Sequence, residues 1–170
     1  MLHDRGVPPK RKPGAASRLE ASGAAPPKRC KDQDLAGAIG RIHLDTSRFP
    51  VVLLTESGPQ ASAQDFMDAF DSLLALNRRF VSLHDARASS GWDVIDRAGV
   101  HDWLKRNAAT LRKLVIAHGA IVTGVGQRSN AAAVFWGTGL DRAVRYFEEP
   151  TAAEVWAFKA AHSRRGVSAG

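Results

Sequence analysis

The stretch Phe80-Val-Ser-Leu-His-Asp85 decides the fold, because it predicts a strand that ends in a polar loop over residues 86–91. Helical patterns flank this strand. Apolar residues recur at helical spacing from Phe66 to Leu74, and residues 93–114 are mostly helical in pattern. Strands separated by helices cannot be joined by tight hairpins, so they run mostly parallel. The stretch therefore predicts a central strand of an α/β sheet.

The segments before this strand predict two short strands and a helix. Ile42 and Leu44 predict a short strand over residues 40–44, and the apolar run over 49–55 predicts a second; the two lie close enough along the chain to pair in antiparallel fashion. Ser62, with Asp65 three residues later, predicts the capping-box start of the helix. We expect Phe66, Ala69, Phe70, Leu73 and Leu74 to share its buried face.

The segments after it continue the alternation of strands and helices. Gly119-Ala-Ile-Val-Thr-Gly124 predicts a buried strand. A short helix over 129–136 and a last strand over 143–147 follow. Thr151 predicts the cap of a final helix whose Val155, Trp156 and Phe158 pack inward. The predicted order is β-β-α-β-α-β-α-β-α.

The chain divides by composition into a tail and one domain. Residues 1–34 carry eight Lys or Arg against four acids, hold five of the eight prolines and have no aromatic residue. Such a segment buries too little apolar surface to offset its ordering entropy. We therefore predict a disordered basic, Pro-rich tail over 1–37, one domain over 38–163 and a disordered C-terminus over 164–170.

Two basic clusters of the tail predict contact with an anionic partner such as nucleic acid, a membrane surface or an acidic protein. A solvated extension, or an upstream stretch included by a wrong start site, fits the same composition. The single cysteine, Cys30, forms no internal disulfide, and no apolar run reaches the ~18–20 residues that span a bilayer, so we expect a cytoplasmic protein. The clusters consist of Lys10, Arg11 and Lys12, and of Lys28, Arg29 and Lys31.

Three stretches of the domain resemble STAS-like domains of the anti-sigma-factor-antagonist type, especially the bacterial STAS/lipid-transfer-like branch. They are Phe80–Asp85, Gly119–Gly124, and Val144-Arg145-Tyr146-Phe147 with the helix that begins near Thr151. The resemblance covers about residues 39–162. It implies a single STAS-like domain with a mixed, mostly parallel sheet, helices packed mainly on one face, and a non-catalytic role.

The resemblance also implies a phosphoacceptor site. Some members of the family bind a kinase-like partner and are phosphorylated on a serine at a loop-to-helix junction after the central strand. Ser89 and Ser90 lie in a similar region here, but Ala88 stands where the family has an acid. A loop serine that caps the next helix accounts for the same residues.

Two further groups of residues are candidate binding positions. His84 and Asp85 end the central strand, where open α/β sheets place ligands, and with Arg87 and Trp92 they predict a partner or ligand rim. We expect Trp92 to be exposed in its loop. The second candidate is an anion site or a plain tight turn at a predicted helix start, formed by Gly124, Gly126, Arg128 and Ser129.

These residues form no recognisable catalytic set, and the histidines lack metal-ligand spacing. We therefore expect a regulatory or protein-protein interaction module, not an enzyme, without cofactor or metal. Alternatives are a small-ligand or lipid-binding domain and a tail-driven tether to nucleic acid or another anionic surface. The partner is expected to be a protein, and the sequence leaves a homodimer open.

Overall fold

The computed structural model describes residues 37–58, 62–140 and 143–163 of the 170-residue chain. Within them, six strands form one sheet in chain order. The first three strands are antiparallel neighbours, and β3 to β6 run parallel. The α/β class and the mixed, mostly parallel sheet are therefore confirmed. The strands are β1 (Gly37–Ile39), β2 (Ile42–Asp45), β3 (Val51–Glu56), β4 (Phe80–Asp85), β5 (Val115–Ile121) and β6 (Val144–Phe147).

Five helices accompany the sheet in the described part of the chain. The predicted capping box at the start of α1 is confirmed, since Ser62 Oγ accepts from Asp65 N and Asp65 accepts from Ser62 N. Asp93 caps α2 by accepting from the N–H of Asp96. The helices are α1 (Ala63–Ala75), α2 (Val94–Arg106), α3 (Ala108–Leu114), α4 (Gly124–Phe135) and α5 (Pro150–Ser163).

The helices lie on both faces of the sheet, in unequal numbers. Helices α1 to α4 share one apolar cluster with Leu44, Val52, Leu54 and Phe80 of the sheet. Helix α5 covers the opposite face, where its alanines pack against other residues of β3 to β5. Because side chains alternate along a strand, the two clusters use alternate residues of the same strands.

Several predicted boundaries are wrong. The order has an additional first strand, β1, which begins at Gly37 inside the predicted tail. The helical segment after β4 breaks at Asn107, whose side chain donates to the carbonyl of Trp103, so α2 and α3 are separate. Helix α5 begins at Pro150, ahead of the predicted cap Thr151, and its Val155 is exposed where inward packing was expected. No helix among the described residues has the length and apolar character needed to cross a membrane.

Candidate functional site

A pocket opens at the carboxyl ends of β3, β4 and β5, on the face covered by α1 to α4. Its cavity volume is about 50 Å³. The pocket therefore has room for a small ligand or for a small part of a larger one. Its lining includes Glu56, Phe66, His84, Trp92, Gln127 and Phe135.

The polar centre of the pocket is the pair formed by Glu56 and His84. Glu56 is the last residue of β3, and His84 is next to last in β4. Their side chains are only 2% and 7% exposed, and His84 Nε2 lies 2.7 Å from Glu56 Oε1. The approach is that of an ion pair, but Nε2 is not aligned for a hydrogen bond, and Glu56 Oε2 has no hydrogen-bond partner among the described groups. Both polar groups are thus buried without full satisfaction.

Aromatic rings form the walls around this pair. Trp92 meets Phe66 edge-on with a centroid distance of 5.0 Å, and it stacks on His84 at 6.3 Å. Phe66 also lies 5.2 Å from the His84 ring. The Nε1 atom of Trp92 is buried and has no hydrogen-bond partner among the described groups. The lining of the pocket is therefore mainly apolar and includes a few residues with buried polar atoms, a composition common in small-molecule sites.

A second buried polar pair lies deeper on the same face. Ser82 Oγ of β4 and His118 Nδ1 of β5 are 2.8 Å apart, and both residues are buried. Burial and, to a smaller extent, the charge of His84 lower the pKa of His118 to about 3. The imidazole of His118 is therefore neutral near pH 7 and serves as the hydrogen-bond partner of Ser82.

Gln127 of α4 fixes the loop that closes one side of the pocket. Its Oε1 accepts from the backbone N–H and the hydroxyl of Thr123, while its Nε2 donates to the carbonyls of Ala86 and Ser89. One side chain thus joins the start of α4 to the loop that follows β4. That loop carries Trp92, so Gln127 helps to position the aromatic wall.

The predicted rim residues separate into two groups. His84 and Trp92 line the pocket, whereas Arg87 forms a two-pronged contact with Asp85, with distances of 2.9 and 2.8 Å. Burial raises the pKa of Asp85, but the hydrogen bonds and charge of Arg87, together with His84, outweigh it and leave the pKa lowered. Asp85 and Arg87 therefore neutralise one another. The expected exposure of Trp92 is wrong, because its ring is half-buried against Phe66 and His84.

The candidate phosphoacceptors differ in exposure. Ser89 is buried, and its Oγ accepts from the N–H of Gly91, so a kinase would have to open the loop to reach it. Ser90 is exposed. Phosphorylation of either residue stays a prediction.

The candidate anion residues all lie inside α4, which begins at Gly124, five residues before the predicted helix start. The plain tight turn is therefore wrong for Gly126, Arg128 and Ser129, whereas Gly124, with a φ of 74°, has a turn conformation at the start of the helix. Gly124, Gly126, Arg128 and Ser129 are exposed, and the guanidinium of Arg128 lies 5.7 Å from the ring centroid of Tyr146. The N–H at the helix cap, Thr123, is already taken by Gln127. An anion role for these residues stays a prediction.

The basic clusters lie outside the described residues, as do the predicted disordered segments apart from Gly37. A tether function of the tail therefore stays a prediction. The residues concerned are Lys10, Arg11, Lys12, Lys28, Arg29 and Lys31.

Three residues of the site were not among the predicted site residues. The strand predicted over residues 49–55 stops one residue before Glu56, yet Glu56 ends β3 and lines the pocket. Ser82 and His118 were not recognised as a pair. The available signal was the alternation in β4, where Ser82 and His84 share one face of an otherwise apolar strand.

The described residues define a class by their architecture: an α/β domain with a six-stranded mixed sheet and a small pocket at the carboxyl ends of its parallel strands. No protein-family model matches the chain, and no curated protein matches it either. Within the described residues, no group of three His, Cys, Asp or Glu side chains is placed to hold a metal ion.

Proposed function

We propose that this domain is a non-catalytic binding module whose pocket takes a small, mainly apolar ligand. The observation that carries the proposal is the buried carboxylate of Glu56, a residue that lines the pocket and whose Oε2 has no hydrogen-bond partner among the described groups. Leaving such a group unsatisfied costs about 1–3 kcal/mol, more for a charged group. A ligand that donates a hydrogen bond to it recovers that free energy, which gives the pocket a preference for an occupant.

The hydroxyl groups near the pocket favour binding over catalysis. Ser82 is fully buried and bonded to His118, whose lowered pKa makes it a weak general base near neutral pH. The hydroxyl of Ser89 accepts from a backbone N–H. Neither serine is arranged as an activated nucleophile facing the cavity.

Residues on α4 offer a matched test of pocket binding. Ala131 lines the pocket, whereas Ala133 is exposed on the same helix. We expect fragment mixtures to shift the indole N–H resonance of Trp92 in the parent protein and in Ala133→Leu, but not in Ala131→Leu, where the larger side chain fills the cavity. Protein-observed NMR measures these shifts. Fragments that bind Ala131→Leu as well as the parent protein would contradict the proposal.

We propose a protein partner as the second candidate, the role that the STAS-like resemblance implies. The sheet with four helices on one face supports the STAS-like relation, which stays a prediction. Arg97 of α2 contacts Asn130 of α4 at 2.6 Å, and His101 contacts Val134 further along, so the two helices lie side by side in parallel. Their first turns expose the apolar side chains of Val94, Ile95 and Val125 at the end that carries the pocket.

A pair of substitutions in the full-length chain tests this second candidate. Ile95→Lys places a charge on the exposed α2 turn, and Val155→Lys places one on exposed α5. A partner captured by the parent protein should be lost with Ile95→Lys and kept with Val155→Lys. Equal retention by both variants counts against this surface.

A further inference from the structure

The polar atoms of the pocket that lack partners point to the chemistry of its occupant. Glu56 Oε2 is an acceptor, Trp92 Nε1 is a donor, and His84 Nε2 has either role according to its protonation. All three atoms are buried, and all three residues line the same cavity. The polar groups of Gln127, in contrast, already have partners: its Oε1 accepts from Thr123, and its Nε2 donates to the loop carbonyl of Ser89.

Glu56 Oε2 accepts a hydrogen bond and Trp92 Nε1 donates one, so a ligand with only a single charged group cannot satisfy both atoms. An ammonium ion satisfies Glu56 but leaves the Trp92 N–H without an acceptor. A carboxylate satisfies Trp92 but brings a second negative charge beside Glu56, which is costly in a buried site. Arg97 also lines the pocket, and its charge is opposite to that of Glu56, so the surroundings favour no strongly charged ligand.

The walls select the shape of the ligand. Phe66, Trp92 and Phe135 present aromatic surface, and the His84 ring lies among them. Flat rings pack favourably on such walls, through stacked or edge-to-face contacts. The size of the cavity limits the buried part to about one small ring with a short polar edge.

We propose that the pocket binds a small, flat, neutral molecule with a carboxamide-like edge. Its N–H or O–H donates to Glu56, and its carbonyl-type oxygen or ring nitrogen accepts from Trp92 Nε1. This assignment rests on the proposed binding function and narrows it to aromatic amides, lactams and heterocycles that carry adjacent donor and acceptor groups.

Four benzene derivatives of similar size test the assignment: benzamide, benzoate, benzylammonium and toluene. Each is titrated into the full-length protein and followed by NMR at the Trp92 indole N–H, which Trp92→Phe identifies by its loss. We expect benzamide to bind at least about tenfold more tightly than the other three, because two buried groups gain partners. Its binding should move the indole proton downfield.

Two variants assign the contacts. Trp92→Phe keeps an aromatic ring against Phe66 but removes the donor, and Ala133→Leu is the matched surface control. In Trp92→Phe, binding is followed through the backbone amides of residues 86–91. We expect this variant to bind benzamide about fivefold or more weakly than the parent protein does, because the indole donor is lost. Its affinity for toluene should not change. Glu56→Gln, which keeps the side-chain shape, should narrow the preference for benzamide over benzoate.

The possible outcomes separate the two proposals. Preference for benzylammonium or benzoate, or equal binding of all four compounds in the pocket, overturns the amide class and leaves a binding pocket in place. Absence of any pocket response, with a folded spectrum, overturns both the class and the proposed function. Benzamide binding that survives in Trp92→Phe at full strength also overturns the class.

Discussion

The two faces of strands β4 and β5 are built in opposite ways. On the α5 side, Leu83 and Ile121 pack against a stripe of buried alanines. On the other side, the same strands carry Ser82, His84 and His118, all of them buried. The buried cluster under α5 is therefore apolar, whereas the opposite face keeps buried polar groups around a cavity.

This contrast indicates how stability and binding are divided. Small alanines let α5 approach the sheet closely, and the pocket that this face does carry is lined by charged side chains that include Asp45, Arg48 and Glu154. The pocket face carries a buried pair and an orphaned indole N–H, which stabilise the fold less than apolar side chains of equal size. We infer that substitutions on the two faces change stability and binding separately.

The largest expected effect concerns the buried pair. His84→Leu removes the neighbour of the Glu56 carboxylate and leaves that group buried alone, so the free energy of unfolding should fall by about 3–5 kcal/mol. Urea denaturation at pH 7 measures the change. His43→Leu, at an exposed strand position, is the matched control and should stay within about 0.5 kcal/mol of the parent.

The double variant Glu56→Leu/His84→Leu sharpens this prediction. With both polar groups replaced by apolar ones, the protein should be as stable as the parent or about 1–4 kcal/mol more stable. Benzamide binding should be lost at the same time. A double variant as unstable as His84→Leu would mean that the pair holds the fold together and is not retained for binding.

The next effect concerns the closest packing on the α5 face. A Cβ added at Gly119 would lie 2.6 Å from Leu83 Cδ2 and 2.9 Å from Trp156 Cζ3, so both side chains must move. Gly119→Ala should therefore destabilise the protein by about 1–3 kcal/mol. Gly99→Ala, in α2 with open space around it, should instead stabilise by about 0.5–1 kcal/mol. Thermal and urea unfolding compare them, and equal effects would contradict close packing at Gly119.

A pH-dependent effect separates His118 from the other histidines. Its pKa is about 3 in the folded protein, below the ordinary value of 6.5, so the unfolded chain binds a proton that the native state does not bind between these values. Stability from this group is therefore complete above about pH 6.5 and falls with decreasing pH, by about 1.4 kcal/mol per pH unit at most.

His118→Gln tests this assignment while keeping a polar group near Ser82. Urea unfolding at several pH values from 7 to 5 should show a smaller loss of stability than in the parent protein. The difference between the two slopes isolates His118, because the remaining histidines are common to both proteins. Equal slopes would show that His118 is protonated as readily in the native state as in the unfolded state.

The sequence was sufficient for five of the six strands and for one edge of the site. Periodicity and capping residues located α1 and β4, because one buried face per element leaves a regular pattern, as Ser62 and Phe66 illustrate. It also placed His84 at the carboxyl end of a central strand. The break at Asn107 left no such trace, because apolar residues continue on both sides of it.

The partners of the site residues could not be predicted in the same way. Glu56 and His84 meet only because β3 and β4 pair in register, with Leu54 opposite His84. A contact between residues 28 positions apart depends on the sheet order, which local patterns do not specify. The burial of Trp92 likewise depends on Phe66 from another element.

The smallest expected effect concerns the loop beside the pocket and tests whether that face is locally mobile. Gln127→Glu keeps an acceptor for Thr123 at the start of α4, where negative charge is favourable. It removes the donor to the Ser89 carbonyl. Global stability should fall by no more than about 1.5 kcal/mol. The amides of Ser89 and Gly91, which are bonded within the loop, should exchange with solvent measurably faster.

Hydrogen exchange measured at single residues tests whether Gln127 restrains the loop. Gln64→Glu, in the first turns of α1, is the charge-matched control. The control should leave Ser89 and Gly91 protected, because its side chain contacts Asp68 and not the loop. Faster exchange in Gln127→Glu alone would show that one donated hydrogen bond restrains the loop that carries Trp92. Unchanged protection together with lower global stability would place the role of Gln127 in α4, and the pocket wall would then be held by the packing of Trp92 against Phe66 and His84.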